Sequence, residues 1–300
     1  MGQPNPRQGD RSAQAALMVA VAVWGVNLSA VKVLTSTLDV LVVASSRMVV
    51  AVLALTAILF LTRQVRLVLQ PRTFLGLIAC GALMVYANQI LFAASLSQTT
   101  ATNAALVQAL GPLVSTLIAS ATLRERLGGR RLAGLVVGFA GVAVVVLNRQ
   151  GAIATGPNPG DLLMLASVVC FASGGALIQR LSAGLSAVQI SWFVHVVGTV
   201  MLAGHTMALS SSALELLWDA SAQAWGLIVF SGVGATALAA LAWNHAIARI
   251  GIARTSLAFY WLPIFGLAFA AVALGERVTS IHIVGLVAVI AGSFLGRSIR

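Results

Sequence analysis

The chain has 300 residues, of which 59% are hydrophobic and 8% charged, with a formal net charge of +11. A soluble domain carries about 25% charged and about 45–50% apolar residues, so this composition excludes a soluble enzyme, a nucleic-acid module and any sizeable extramembrane domain. A membrane span takes about 20 residues, and a chain of this length accommodates ten, which makes it an all-α integral membrane protein.

Residues 1–12 (MGQPNPRQGDRS) are polar and expected to be a disordered cytoplasmic terminus. The apolar run after them has the length of a span, which argues against a cleaved signal peptide. Breaker residues then divide the chain into ten predicted helices at 13–34, 40–61, 73–95, 101–122, 131–148, 161–181, 187–209, 223–247, 253–274 and 280–297. The longest connection lies around GAIATGPNPGD and reads as a linker over 149–160, between five helices in 13–148 and five in 161–300. Cys80 and Cys170 each sit in an apolar run without a CxxC pattern, and read as small buried hydrophobes.

Charge sets the orientation. With the N-terminus inside, 14 of the 18 basic residues fall on inside segments, against Lys32, Arg149 and Arg277 outside and Arg47 within a span. Cytoplasmic loops carry the excess of Lys and Arg, so both termini are expected in the cytoplasm. The basic balance thus reflects orientation, and nucleic acid is not an expected partner.

The two halves resemble each other. At an offset of 151, Leu106–Gly141 aligns without a gap to Leu257–Gly292, with 11 of 36 positions identical. The matches include Pro112 with Pro263, Glu125-Arg126 with Glu276-Arg277, Gly134 with Gly285 and Gly141 with Gly292. Phe92 pairs with Trp243 at the same offset, and Trp24-Gly25 with Phe171-Ala172 at an offset of 147. Five spans per half is an odd number, so the second half crosses the bilayer in the opposite sense to the first. Inverted-topology repeats around a central cavity belong to secondary transporters, where one site opens alternately to each face.

The segments AVWGVNLSAVKVL, ATNAALVQALGPLVSTLIASATLRERL and GLVVGFAGVAVVVL, with the echo SLAFYWLPIFGLAFAAVALGERV, resemble the EamA branch of the drug/metabolite transporter superfamily over essentially the whole chain. The resemblance implies ten helices in two inverted five-helix repeats, a prokaryotic inner-membrane location, and export of small metabolites, amino acids especially. Phe171 departs from the Trp common at that position. The small multidrug-resistance relatives carry a membrane-embedded Glu in the first span, whereas this chain has Trp24, Gly25 and Asn27 there. That disfavours a proton antiporter of lipophilic cations.

The sequence carries no Walker loop, no HExxH and no GxSxG, and no cofactor is implied. All seven acidic residues fall at predicted span ends or loops. Ionisable side chains inside a span are costly and are functional candidates by default. Arg47 either attracts a substrate carboxylate in the cavity or pairs with Asp39 or helix carbonyls; Lys32 reads as snorkelling. His195 either couples protons or hydrogen-bonds a neighbouring helix.

Trp24, Asn27, Tyr86, Gln89, Gln108, Trp243, Tyr260 and Trp261 complete the candidate cavity lining. Gly111-Pro112 and Pro263 are candidate gating kinks, because proline removes a backbone donor and clashes with the preceding turn. Glu125 and Glu276 read as structural locks that pair with nearby Arg. The seven-spaced glycines Gly134/Gly141 and Gly285/Gly292 read as a scaffold or dimer seam. The leading function is a gradient-driven facilitator exporting amino acids, as a monomer or homodimer in the lipid bilayer. The alternative is a proton-coupled antiporter of sugars, nucleosides or organic cations.

Overall fold

The computed structural model describes residues 6–65, 70–123, 129–147, 158–181, 185–210, 212–250 and 255–295. Among these residues the secondary structure is helical and contains no strand. The helices are α1 (Pro6–Thr37), α2 (Val40–Leu61), α3 (Pro71–Gln98), α4 (Ala101–Gln108), α5 (Gly111–Leu123) and α6 (Gly129–Leu147). After the linker come α7 (Pro159–Leu181), α8 (Ala187–Leu209), α9 (Ala213–Trp218), α10 (Ala222–Ile250), a 3₁₀ turn at Ser256–Tyr260, α11 (Leu262–Leu274) and α12 (Ser280–Leu295). Seven helical stretches are long and apolar enough to cross a membrane, and three shorter apolar ones accompany them.

Caps at the helix ends follow from local chemistry. Asp39 accepts from the Leu41 and Val42 amides and starts α2, and Thr100 accepts from Asn103 N to start α4. Ser186 and Gln189 form a reciprocal capping box on α8. Each supplies an acceptor for amides that have no partner inside the helix. Gly275 ends α11 at φ +65°, a left-handed conformation that glycine adopts without a Cβ clash.

Three departures from the predicted elements have physical causes. α1 begins at Pro6, so residues 6–12, expected to be disordered, extend the first helix; proline is preorganised for a first helical position. The fourth predicted helix is two, because Pro112 cannot donate to the carbonyl four residues back, and the Leu110 amide bonds Val107 O instead. The ninth is interrupted in the same way before Pro263, where the Trp261 amide bonds Ala258 O. Those two shifted bonds lie 151 residues apart.

Two π-helical segments interrupt α3 and α10, at Ala82–Ala87 and Phe230–Leu238, and both end at positions 151 apart. Wider turns loosen the regular ladder, and side chains take up the slack. The Thr236 hydroxyl donates to Ser231 O at 2.8 Å, and the Trp24 indole donates to Ala235 O at 2.7 Å.

Small residues bring the helices together. A Cβ on Gly292 would lie 2.5 Å from Gly134 O and 2.6 Å from Gly138 N, and one on Gly141 would lie 2.5 Å from the Ala288 Cβ. α6 and α12 therefore meet backbone to backbone, and the glycines read as a seam are consumed inside the chain. Gly81 packs on Val197 and Val194 O, while Gly232 packs on Val50 and Arg47 O. Because Gly81 and Gly232 are 151 apart, this contact makes Val194 the counterpart of Arg47, at the 147 offset of the first spans.

Candidate functional site

A cavity of about 110 Å³ lies among α1–α5, α7, α8, α10 and the Ser256–Tyr260 turn; among the described residues, α6 and α12 contribute nothing to it. One water needs roughly 10–15 Å³ by a comparable measure, so the space admits a small organic solute.

One wall is polar. Arg47 on α2 is 2% exposed. Its Nε donates to Ser231 Oγ on α10, and the Ser231 hydroxyl donates onward to Asn27 Oδ1 on α1. Arg47 Nη1 reaches Gln89 Oε1 at 3.3 Å, and the Gln89 amide donates to Asn88 Oδ1 at 3.1 Å. Asn88 in turn donates to Ser167 Oγ at 2.8 Å and Ser167 O at 3.0 Å on α7. Arg47 Nη2 takes no partner among the described residues, and no carboxylate meets the guanidinium. Asp39, the partner considered from sequence, is occupied as the α2 cap.

The other wall is aromatic. Trp24, Phe171, Trp243 and Phe259 touch one another, with ring centroids 4.9–6.1 Å apart. Trp24 stacks on Phe259 at an interplanar angle of 10°. The Arg47 guanidinium carbon lies 5.7 Å from the centroid of Phe92, within cation–π range. His195 and Asn244 close a third side, both held by Ser191: His195 Nδ1 at 2.8 Å from Ser191 O, and Asn244 Nδ2 at 2.7 Å from Ser191 Oγ.

Of the candidate lining residues, Trp24, Asn27, Arg47, Gln89, Gln108, His195 and Trp243 meet at this cavity, as does Gly111. Three lie elsewhere. Tyr86 shares a 2.9 Å hydrogen bond with His205 Nδ1, because the π segment turns it away from Gln89 despite their three-residue spacing. Tyr260 is buried against Phe294, and Trp261 is half exposed on the outer surface; the 3₁₀ turn puts Phe259, not its two neighbours, at the cavity. Pro112 and Pro263 stand at the two helix breaks, and the residues four before them, Gln108 and Phe259, both line the cavity.

The span-end residues differ from expectation. Glu276 takes no Arg among the described residues; it accepts from the Ala101 and Thr102 amides at 2.9 Å each and from the Thr102 hydroxyl at 2.6 Å, holding the start of α4 from the other half of the chain. A helix N-terminus offers free amides and a partial positive charge, which serve a carboxylate as well as an arginine does. Glu125 lies outside the described residues. Lys32, read as snorkelling, donates to Leu96 O at 2.8 Å and Thr99 O at 2.7 Å at the end of α3.

Sequence reasoning passed over Asn88, Phe92 and Phe259 as lining residues and gave Phe171 little weight. Their signal was the repeat itself. Trp24 with Phe171, Phe92 with Trp243, and Gln108 with Phe259 are equivalent pairs, and both members of each line the cavity.

The EamA-like transporter family matches this chain over residues 11–147 and again over 158–296. An uncharacterized transporter of Bacillus subtilis is 27% identical over 83% of this chain and 81% of its own length. A probable terminal-alkyne amino-acid exporter of Streptantibioticus cattleyicolor is 29% identical, covering 93% and 91%. A probable amino-acid metabolite efflux pump of Escherichia coli is 26% identical, covering 93% and 92%. A solved crystal structure shares the fold at TM-score 0.72 and 20% identity, over 95% of this chain and 96% of that one. With its membrane-length helices, the protein is a multi-pass inner-membrane transporter. The chain belongs to the EamA-like transporter family.

Proposed function

We propose that the protein exports small carboxylate-bearing metabolites, amino acids foremost, from the cytoplasm. The observation that carries this reading is Arg47: a buried cation at a solute-sized cavity, with no carboxylate partner among the described residues. Burying a charge without an opposite charge is expensive, and a substrate carboxylate supplies the missing half. The aromatic wall then receives the apolar part of the solute. The same cation disfavours organic cations as cargo.

The transport cycle is alternating access between two inverted five-helix repeats, in ten spans with both termini cytoplasmic. Matched helix breaks before Pro112 and Pro263, matched π segments, and a cavity lined by equivalent residues from both halves support it. Each break lets a half-helix swing without disturbing the α6–α12 seam. No carboxylate of the described residues lines the cavity, which favours a facilitator driven by the substrate gradient over proton antiport.

The test is uptake of a panel of labelled amino acids into liposomes holding the purified protein, with and without an imposed pH gradient. Saturable uptake indifferent to the gradient is the expected result. Acceleration by the gradient overturns the facilitator mode, and absence of uptake for every amino acid overturns the substrate class.

A further inference from the structure

We infer that the cavity holds a second pole, made of Asn244 Oδ1 and His195 Nε2, that receives the substrate's ammonium group. This rests on the reading that Arg47 takes the carboxylate.

Asn244 is 3% exposed, and its Nδ2 is committed to Ser191 Oγ, but its Oδ1 is buried without a hydrogen-bond partner. His195 is 8% exposed, and its Nδ1 faces the Ser191 carbonyl at 2.8 Å. A carbonyl only accepts, so Nδ1 carries a proton, and in the neutral form of the ring Nε2 presents a bare lone pair. That nitrogen has no partner among the described residues. Both side chains line the cavity, one from α8 and one from α10, and Ser191 fixes both: its carbonyl orients the imidazole and its hydroxyl orients the amide.

The result is two preset acceptors and a preset cation lining the same cavity. Acceptors left unmade in a buried site are costly, and an ammonium, with three donors and no acceptor, matches them. The neighbouring Trp243 Nε1 is a buried donor without a partner. A zwitterion satisfies orphan donors and orphan acceptors together; a 2-hydroxy acid, with one O–H donor and no charge there, fills at most one of the two acceptors. The structure therefore assigns Asn244 and His195 to choosing α-amino acids over their 2-hydroxy analogues.

The test measures equilibrium binding of the twenty common amino acids and their matched 2-hydroxy acids to the purified full-length protein in nanodiscs. The tightest amino acid is expected to bind about 10–100-fold better than its hydroxy acid, the discrimination that a net hydrogen bond to a charged group supplies. Asn244→Leu and His195→Phe are expected to collapse that ratio toward one. Asn244→Asp, which keeps the shape and adds a charge, is expected to widen it, and its thermal melting curve verifies that it folds. Equal binding of the two acids, or preference for the hydroxy acid, overturns the ammonium pole while leaving the carboxylate reading intact. A ratio unmoved in all three variants overturns the assignment of these residues. No binding of either class overturns the carboxylate reading and the pole with it.

Discussion

The two halves of the chain are alike in backbone and unlike in what they offer a solute. Both carry a π segment, in α3 and in α10, and a proline break after it, before Pro112 and before Pro263, at equivalent positions. Both place two aromatic rings at the cavity, Trp24 of α1 and Phe92 of α3 from one half, Phe171 of α7 and Trp243 of α10 from the other. At three further equivalent positions they diverge: Arg47 faces Val194, Gln89 faces Ala240, and Gln108 faces Phe259. Repetition supplies a cavity and a way to move around it, while side-chain divergence gives that cavity a polar and an apolar end.

The largest effect is expected from erasing the divergence. Arg47→Val makes the two halves match at that pair, and removing one partner of a buried charge interaction typically costs about 2–5 kcal/mol. Amino-acid binding should weaken at least about 30-fold in a radioligand assay, and retained affinity would mean that the carboxylate is held elsewhere. Next comes the shared backbone. Gly292→Ala sets a Cβ against Gly134 O and Gly138 N, an overpacking worth about 1–3 kcal/mol. Melting in detergent should fall, with ligand affinity of the surviving folded protein unchanged.

Smaller still is the aromatic wall. Trp24→Leu loses its stacking on Phe259, about 0.5–1.5 kcal/mol beyond area burial. Competition binding should weaken about 2–10-fold, most for ligands with large apolar side chains. The least effect on binding belongs to Tyr86→Phe, which loses the bond to His205, about 0.5–1.5 kcal/mol of stability. Its affinity for amino acids should match the parent chain, and a tenfold loss would put Tyr86 back at the site.

Helix positions were legible because each span announces itself by apolar length and each end by a cap or a proline. The cavity was legible wherever a regular 3.6-residue period held: Trp24, Asn27 and Arg47 lie on helices without internal irregularity, and all three reach the site. Tyr86 and the Tyr260-Trp261 pair failed because they sit in or beside π and 3₁₀ turns, which rotate side chains away from α-helical spacing. Glu276 failed differently. Its partner is a backbone terminus 174–175 residues away, and amides carry no residue-type signal in a sequence.

The lone guanidinium has an electrical consequence. Under alternating access the transmembrane voltage drops across whichever side of the cavity is sealed, so Arg47 sits near the cytoplasmic potential in one state and near the external potential in the other. A full elementary charge crossing 100 mV is worth about 2.3 kcal/mol. An inside-negative membrane therefore pulls the empty carrier toward its inward-open form, where it meets fresh cargo. A bound carboxylate monoanion cancels the charge and releases that hold, whereas a zwitterion, with no net charge, leaves the loaded carrier as charged as the empty one. Clamping liposomes at zero voltage should then slow the return of the empty carrier, speed the outward step of a carrier loaded with a zwitterion, and leave the step loaded with a monoanion almost untouched.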